Sequence, residues 1–269
     1  MKDKRILYVS SEVIPYLPET DISSMSFDAA RMVNGLGGQI RIFMPRYGNI
    51  NERRHQLHEV IRLSGMNLVI DDLDMPLIIK VASIPKERMQ VYFIDNEDYF
   101  KRKATLTDEE GNLFKDNDER AIFFAKGVIE TVKKLNWSPD IIHVKGWMAS
   151  LLPLYLRRYY GNEPLFNQAK IVTSIYNQSF DDSLDSEMAK KILFDGMETR
   201  DVKHLKDPTY VNIMKTAIDY SDGVVIAGDN IPEELKDYIP KMKKPVLGYK
   251  NMQEFASAYQ EFYTQLLSQ

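Results

Sequence analysis

A chain of 269 residues, 44 % hydrophobic and 28 % charged, can bury one large α/β core or two small ones. Its 35 basic and 39 acidic residues leave a formal charge of −4, which argues against a nucleic-acid or anionic-membrane binder that works through bulk charge. There is no cysteine, so disulfides, thiolate catalysis and cysteine-held zinc are excluded. The opening MKDKRILYVSSEV has too short an apolar run for a signal peptide, and no stretch reaches the length of a membrane span. The expectation is a cytoplasmic protein with no nucleic-acid and no membrane partner.

The first elements read as strand, loop, helix, strand. Ile6 to Val9 form a short β-prone run of the kind buried in a parallel sheet. Pro15 and Pro18 break the segment that follows. Ser23 or Ser24 supplies an N-cap, and Met25, Ala29, Met32, Val33 and Leu36 give one apolar helix face. Gly35, Gly37 and Gly38 provide a positive-φ stop before a second strand, Gln39 to Met44, closed by Pro45. This is a βαβ unit, so a right-handed crossover and a mostly parallel sheet are expected.

Asn49 to Leu57 is polar and aperiodic. His55 and His58 could share a helix face, but two histidines without a third ligand make a solvated pair rather than a metal site. Strands follow at Val60 to Leu63, Leu68 to Ile70, Leu77 to Ile84 and Met89 to Ile94, as hairpins added to the sheet edge. Lys101 to Lys115 reads as an exposed loop. Asp116 or Asn117 caps a helix running to about Lys134, with Ile122, Ala125, Ile129, Val132 and Leu135 as its stripe. Ser138 to Val144 is a strand entered through proline, Lys145 to Trp147 its turn, and Met148 to Tyr160 a helix. Lys170 to Ile175 is the next strand. Helices follow near Ser186 to Phe194 and over Pro208 to Tyr220. Gly223 to Ala227 is the last core strand, and Pro232 opens a short helix. Pro240 to Lys250 reads as a linker. Asn251 to Leu267 is an amphipathic helix with Met252, Phe255, Ala256, Tyr259, Phe262, Tyr263, Leu266 and Leu267 on one face.

These landmarks resemble the N-terminal half of a bacterial glycogen synthase or plant starch synthase over nearly all of residues 4 to 230. The resemblance rests on Ser11, Glu12, Pro15 and Tyr16 after the first strand and on Pro45, Arg46 and Tyr47 after the second. It continues through Tyr99, Phe100 and Arg102, then Asn117, Arg120, Phe123 and Phe124, then Pro139, Asp140, His143 and Trp147, and Asn177. It implies a Rossmann-like α/β fold, a mostly parallel sheet with helices on both faces, as in the N-terminal half of a GT-B glycosyltransferase. Residues 1–239 would form that domain, and residues 240–269 a linker and closing helix packed on it. Asn117 and Arg120 are expected to hold the loop against the helix.

The departures fall at the strand ends, where parallel sheets bind ligands. The family pattern Lys-x-Gly-Gly-Leu-x-Asp contacts nucleotide-sugar phosphates. Here Pro18 stands at its lysine, Thr20 and Asp21 at its glycines and Ser24 at its aspartate. Proline has neither charge nor donor, and Asp21 repels a phosphate while suiting the helix dipole. Lys145 and Gly146 replace a histidine and an aspartate, and Tyr176 replaces the histidine beside the reacting sugar. Tyrosine is a poor proton carrier near neutral pH.

The resemblance therefore implies a synthase-like domain that is non-catalytic on its own, with no catalytic residue, cofactor or metal. Its expected ligand is an α-glucan or a nucleotide sugar, or a protein partner such as a full-length synthase. The cleft candidates are Glu12, Tyr16, His143, Trp147, Tyr176 and Asn177, with Tyr16, Trp147 and Tyr176 as aromatic surface or as core. The alternative is a glucosyltransferase, moving glucose from a nucleotide sugar to an α-1,4-glucan, that borrows a donor-binding half from a second chain.

Overall fold

The computed structural model describes residues 1–251 and 254–269. Met252, expected on the last helix's apolar face, lies outside the described residues. The strands are β1 (Arg5–Ser10), β2 (Gln39–Pro45), β3 (His58–Glu59), β4 (Met66–Ile70), β5 (Leu73–Ile84), β6 (Met89–Asp95), β7 (Ile141–Lys145), β8 (Lys170–Ile175), β9 (Gly223–Ile226) and β10 (Val246–Leu247). The helices are α1 (Asp21–Gly35), α2 (Glu52–His55), α3 (Glu97–Phe100), α4 (Asn117–Lys134), α5 (Leu152–Arg157), α6 (Met188–Phe194), α7 (Tyr210–Asp219), α8 (Glu233–Tyr238) and α9 (Phe255–Leu267).

The sheet order is β10-β9-β8-β7-β1-β2-β6-β5-β3, with β4 paired to β5. Pairing is parallel from β10 to β6 and antiparallel from β6 through β5 to β3 and β4. The central strands β1, β7 and β8 are buried along almost their whole length, as expected in a sheet covered on both faces, with buried polar residues such as His143, Lys145, Thr173 and Ser174 among the apolar ones. Helices α4, α5, α6 and α7 pack as one layer, and α1 and α9 pack together as another.

Several local expectations change for identifiable reasons. Thr20, not a serine, caps α1: its hydroxyl accepts from Ser23 N, and Ser23 Oγ accepts from Thr20 N, closing a capping box. The buried face of α1 is Ile22, Ser26, Ala29, Ala30 and Val33; Met25 and Met32 sit at its margin and Leu36 is exposed. Among Gly35, Gly37 and Gly38, only Gly37 has positive φ, whereas Gly38 is needed because a Cβ would lie 2.5 Å from Val33.

Val60 to Leu63 is a turn, because Leu63 N and Ser64 N both bond back to Val60 O and end the ladder. The helix expected over Met148 to Tyr160 is a 3₁₀ turn, Trp147–Ala149, followed by α5. Pro153 has no N–H to return to residue 149, so the helix restarts one turn later. Pro232 is the residue before α8 rather than its first. The segment read as a linker holds a 3₁₀ turn, Ile239–Met242, and β10, whose two residues extend the sheet beside β9.

Asp116 precedes α4 but its carboxylate goes to Arg102 in a bidentate pair at 2.8 and 2.6 Å. Asn117 and Arg120 do hold the preceding loop: Asn117 Nδ2 donates to Leu106 O, and Arg120 donates to Tyr99 O, Thr105 O and Asn117 Oδ1. His55 and His58 do not share a helix: His55 ends α2, edge-on to Tyr16, and His58 begins β3.

Candidate functional site

The C-terminal ends of β1, β7, β8 and β9 meet the N-terminus of α1, and two different environments form there. The first is sealed. His143, on β7, is fully buried between Tyr263 of α9 and Ser174 of β8. Tyr263 donates to Tyr8, which donates to Ala29 O, so Tyr263 is an acceptor for His143 Nδ1–H. Nε2 then accepts from Ser174 Oγ at 2.6 Å. Burial first, and then the charge of Lys145, hold the imidazole pKa well below its usual value, so the ring is neutral.

Lys145 lies one pleat further along β7, also fully buried. Its Nζ donates to Met25 O at 3.1 Å and lies 5.5 and 5.6 Å from the rings of Tyr8 and Tyr259. Desolvation pulls its pKa down to about 7, against a smaller opposing pull from Asp28. Gly146 then turns the chain at φ +82°, and a Cβ there would lie 2.4 Å from Ser11 Oγ. Ser11 Oγ accepts from Met148 N, so the loops after β1 and β7 are locked together. The aspartate that the family pattern carries at this position has no room on this backbone.

Tyr176 and Trp147 belong to the same sealed region. Tyr176 is buried, and burial pushes its hydroxyl pKa well above the usual value. Trp147 is packed edge-on to Phe180, which in turn packs on Tyr210. Tyr16 is buried against Phe93. These three rings, expected as aromatic surface or as core, are core: none presents a face to solvent.

The second environment is an open cleft of about 560 Å³ at the start of α1. Of the residues singled out from the sequence, it brings together Thr20, Asp21, Ser24 and Asn177. Glu12 stands behind it, accepting from Thr20 Oγ1 at 2.6 Å and from Gln178 Nε2 at 3.3 Å. Pro18 is exposed nearby and gives its carbonyl to Ser23 Oγ. Asn177 closes the β8 and β9 ends: its Nδ2 donates to Asp229 and its Oδ1 accepts from Asn230 N. Gly228 permits this, since a Cβ there would lie 2.1 Å from Asn177 Oδ1.

Sequence reasoning missed Glu19, Asp28, Asp229, Tyr249 and Lys250, which also line the cleft. Asp28 had a findable signal, because Asp21, Ser24 and Asp28 recur at helical spacing. Tyr249 and Lys250 had none, since their segment read as a linker. The cleft thus carries four carboxylates, from Glu19, Asp21, Asp28 and Asp229, against Lys250. Asp28 is also paired with Arg31 at 3.1 Å. Among the described residues, no group of three histidine or acidic side chains is arranged to hold a metal, and no helix is long and apolar enough to cross a membrane.

A parallel sheet with an antiparallel edge, helices on both faces and a cleft at the strand ends defines a Rossmann-like domain of the GT-B glycosyltransferase type. The model of the starch synthase catalytic domain matches residues 5–243. The catalytic domain of starch synthase IV from Arabidopsis thaliana, solved with ADP and acarbose, shares the fold: TM-score 0.73 at 16 % identity, over 93 % of this chain and 52 % of that one. The glycogen synthase of Chlorobaculum parvum is 33 % identical over 239 residues, 87 % of this chain and 48 % of its own. That of Chlorobium luteolum is 35 % identical over 241 residues, 89 % of this chain and 49 % of its own. The chain belongs to the glycogen and starch synthase family, and it spans about half the length of these curated relatives.

Proposed function

We propose that this chain is a synthase-like domain that binds α-glucan and does not transfer glucose by itself. The observation that supports this reading best is the charge of the open cleft. A nucleotide sugar brings a diphosphate, and here it would meet the carboxylates of Glu19, Asp21, Asp28 and Asp229, opposed by Lys250 on the lining and by Arg31 paired to Asp28. Helix N-termini cradle phosphates in other folds, but here the Ser23 N–H of the first turn of α1 is already taken by Thr20 in its capping box. A glucan is uncharged, and its hydroxyls donate to carboxylates and to the Asn177 amide oxygen. Tyr249, half exposed at the rim, offers a ring for the sugar to lie on. Transfer chemistry has no proton carrier at position 176, where the tyrosine hydroxyl is buried and its pKa raised.

Calorimetric titration with ADP-glucose, UDP-glucose and a maltooligosaccharide tests this. Binding of the maltooligosaccharide alone, weakened in Tyr249→Ala, is the expected result. Micromolar binding of either nucleotide sugar overturns it. Glucose transfer that appears only on mixing with a second, donor-binding chain replaces it with the acceptor half of a two-chain transferase. No binding to any of the three replaces the glucan with a protein partner, such as a full-length synthase.

A further inference from the structure

The open cleft does not end at the first turn of α1. It is lined there by Asp21, Ser24, Met25 and Asp28. A second depression, of about 520 Å³, starts from the same Asp28 and is lined by Arg31, Met32, Gly35 and Leu36. These positions recur at intervals of three and four residues, so they form a single stripe down one face of α1. The stripe runs about 22 Å along the helix axis, the length of several sugar rings. Tyr249 and Lys250 also line the cleft, and a few residues further along the chain Phe255, Ala256, Ser257 and Gln260 of α9 line the depression. Helices α1 and α9 pack on each other, so the depression is a groove between them that continues the cleft past Asp28.

The groove differs from the cleft in charge. Its two charged lining groups neutralise each other, since Asp28 accepts from Arg31 at 3.1 Å. Met32 and Leu36, the latter 39 % exposed, give it an apolar strip. Ser257 Oγ donates to Glu254 O at 3.1 Å and can still accept. No hydrogen bond within the described residues uses the Gln260 side-chain amide. A pyranose ring has an apolar C–H face and a rim of hydroxyls that both donate and accept, so it suits an uncharged lining of this mixed kind. Gly35 keeps the groove open, because a Cβ there would meet no heavy atom within 4 Å. Gly35 is not among the positive-φ glycines, so an ordinary side chain fits there without strain.

We propose that this groove is an extended glucan subsite, so that an α-glucan lies along α1 as a chain of several glucosyl units, part of it in the cleft and the rest between α1 and α9. The proposal rests on α-glucan being the ligand of the cleft. Its test is calorimetric titration of the full chain with maltotriose and maltoheptaose. Maltoheptaose should bind about tenfold or more tighter than maltotriose. Gly35→Leu, which fills the groove, should erase most of that gain, and Gln260→Ala, which removes the free amide, should erase part of it. Maltotriose binding should stay unchanged in both variants. Neither position is buried, so circular dichroism should report an unchanged fold. A longer chain also gains by offering more registers, but that gain survives in the variants, so a preference that neither variant reduces overturns the proposal. Equal binding of the two oligosaccharides to the wild-type chain overturns the subsite and leaves the cleft assignment standing. Binding of neither overturns both. A dimer by light scattering that Gly35→Leu dissolves also overturns it, and would give the groove to a second copy of this chain.

Discussion

The sealed strand ends under α9 and the open cleft beside them lie within one turn of each other, yet they have gone opposite ways. At His143 and Lys145 the polar groups are drawn into the core, neutral or nearly so, and matched to tyrosine hydroxyls and a backbone carbonyl. At Thr20, Asp21 and Asn177 they line an open cleft among four carboxylates, with Thr20 and Asn177 each donating to one of the neighbouring acids. The difference teaches that losing the family's polar pattern has two outcomes. Beneath a helix, a replaced side chain must find an uncharged partner or shed its proton. At a helix N-terminus, it is free to become an ordinary cap.

Three substitutions would break or sharpen this contrast. Restoring the family aspartate, Gly146→Asp, should be the most damaging, costing about 3 kcal/mol or more in urea unfolding, from positive φ and the clash with Ser11. A variant with wild-type stability would show that the sealed region is adaptable.

Lys145→Met comes next. The folded pKa of Lys145, about 7, is below its ordinary 10.5, so the unfolded chain binds more protons between those values. Wild-type stability should therefore rise as pH goes from about 7 to 10.5, and the full penalty should stand below pH 7. The variant should lose that slope and gain on the order of 2–4 kcal/mol at pH 7. An unchanged pH profile of denaturant midpoints would mean that the ammonium is solvated after all. The smallest effect belongs to the open region: Thr20→Ala removes the α1 cap and the donor to Glu12, and should lower stability by about 1 kcal/mol without altering that pH slope.

The sequence by itself determined the βαβ start, the strands Gln39 to Met44 and Met89 to Ile94, each one residue short of the structure, Lys170 to Ile175, and helix α4, because buried strands and amphipathic helices write their period into the chain. It also determined the family and the fact that the strand ends had changed. Only the tertiary structure decided which changed positions became core and which became cleft. Burial of His143, Lys145 and Tyr176 depends on what lies over them, and Tyr259 and Tyr263 of α9 are more than 80 residues away in the chain. Likewise β10 is two residues with no periodicity of their own, placed by pairing with β9 and by packing against α9. Tyr249 and Lys250 reach the cleft by that same closure, and Asp229 through its bond from Asn177, by contacts that no local spacing encodes.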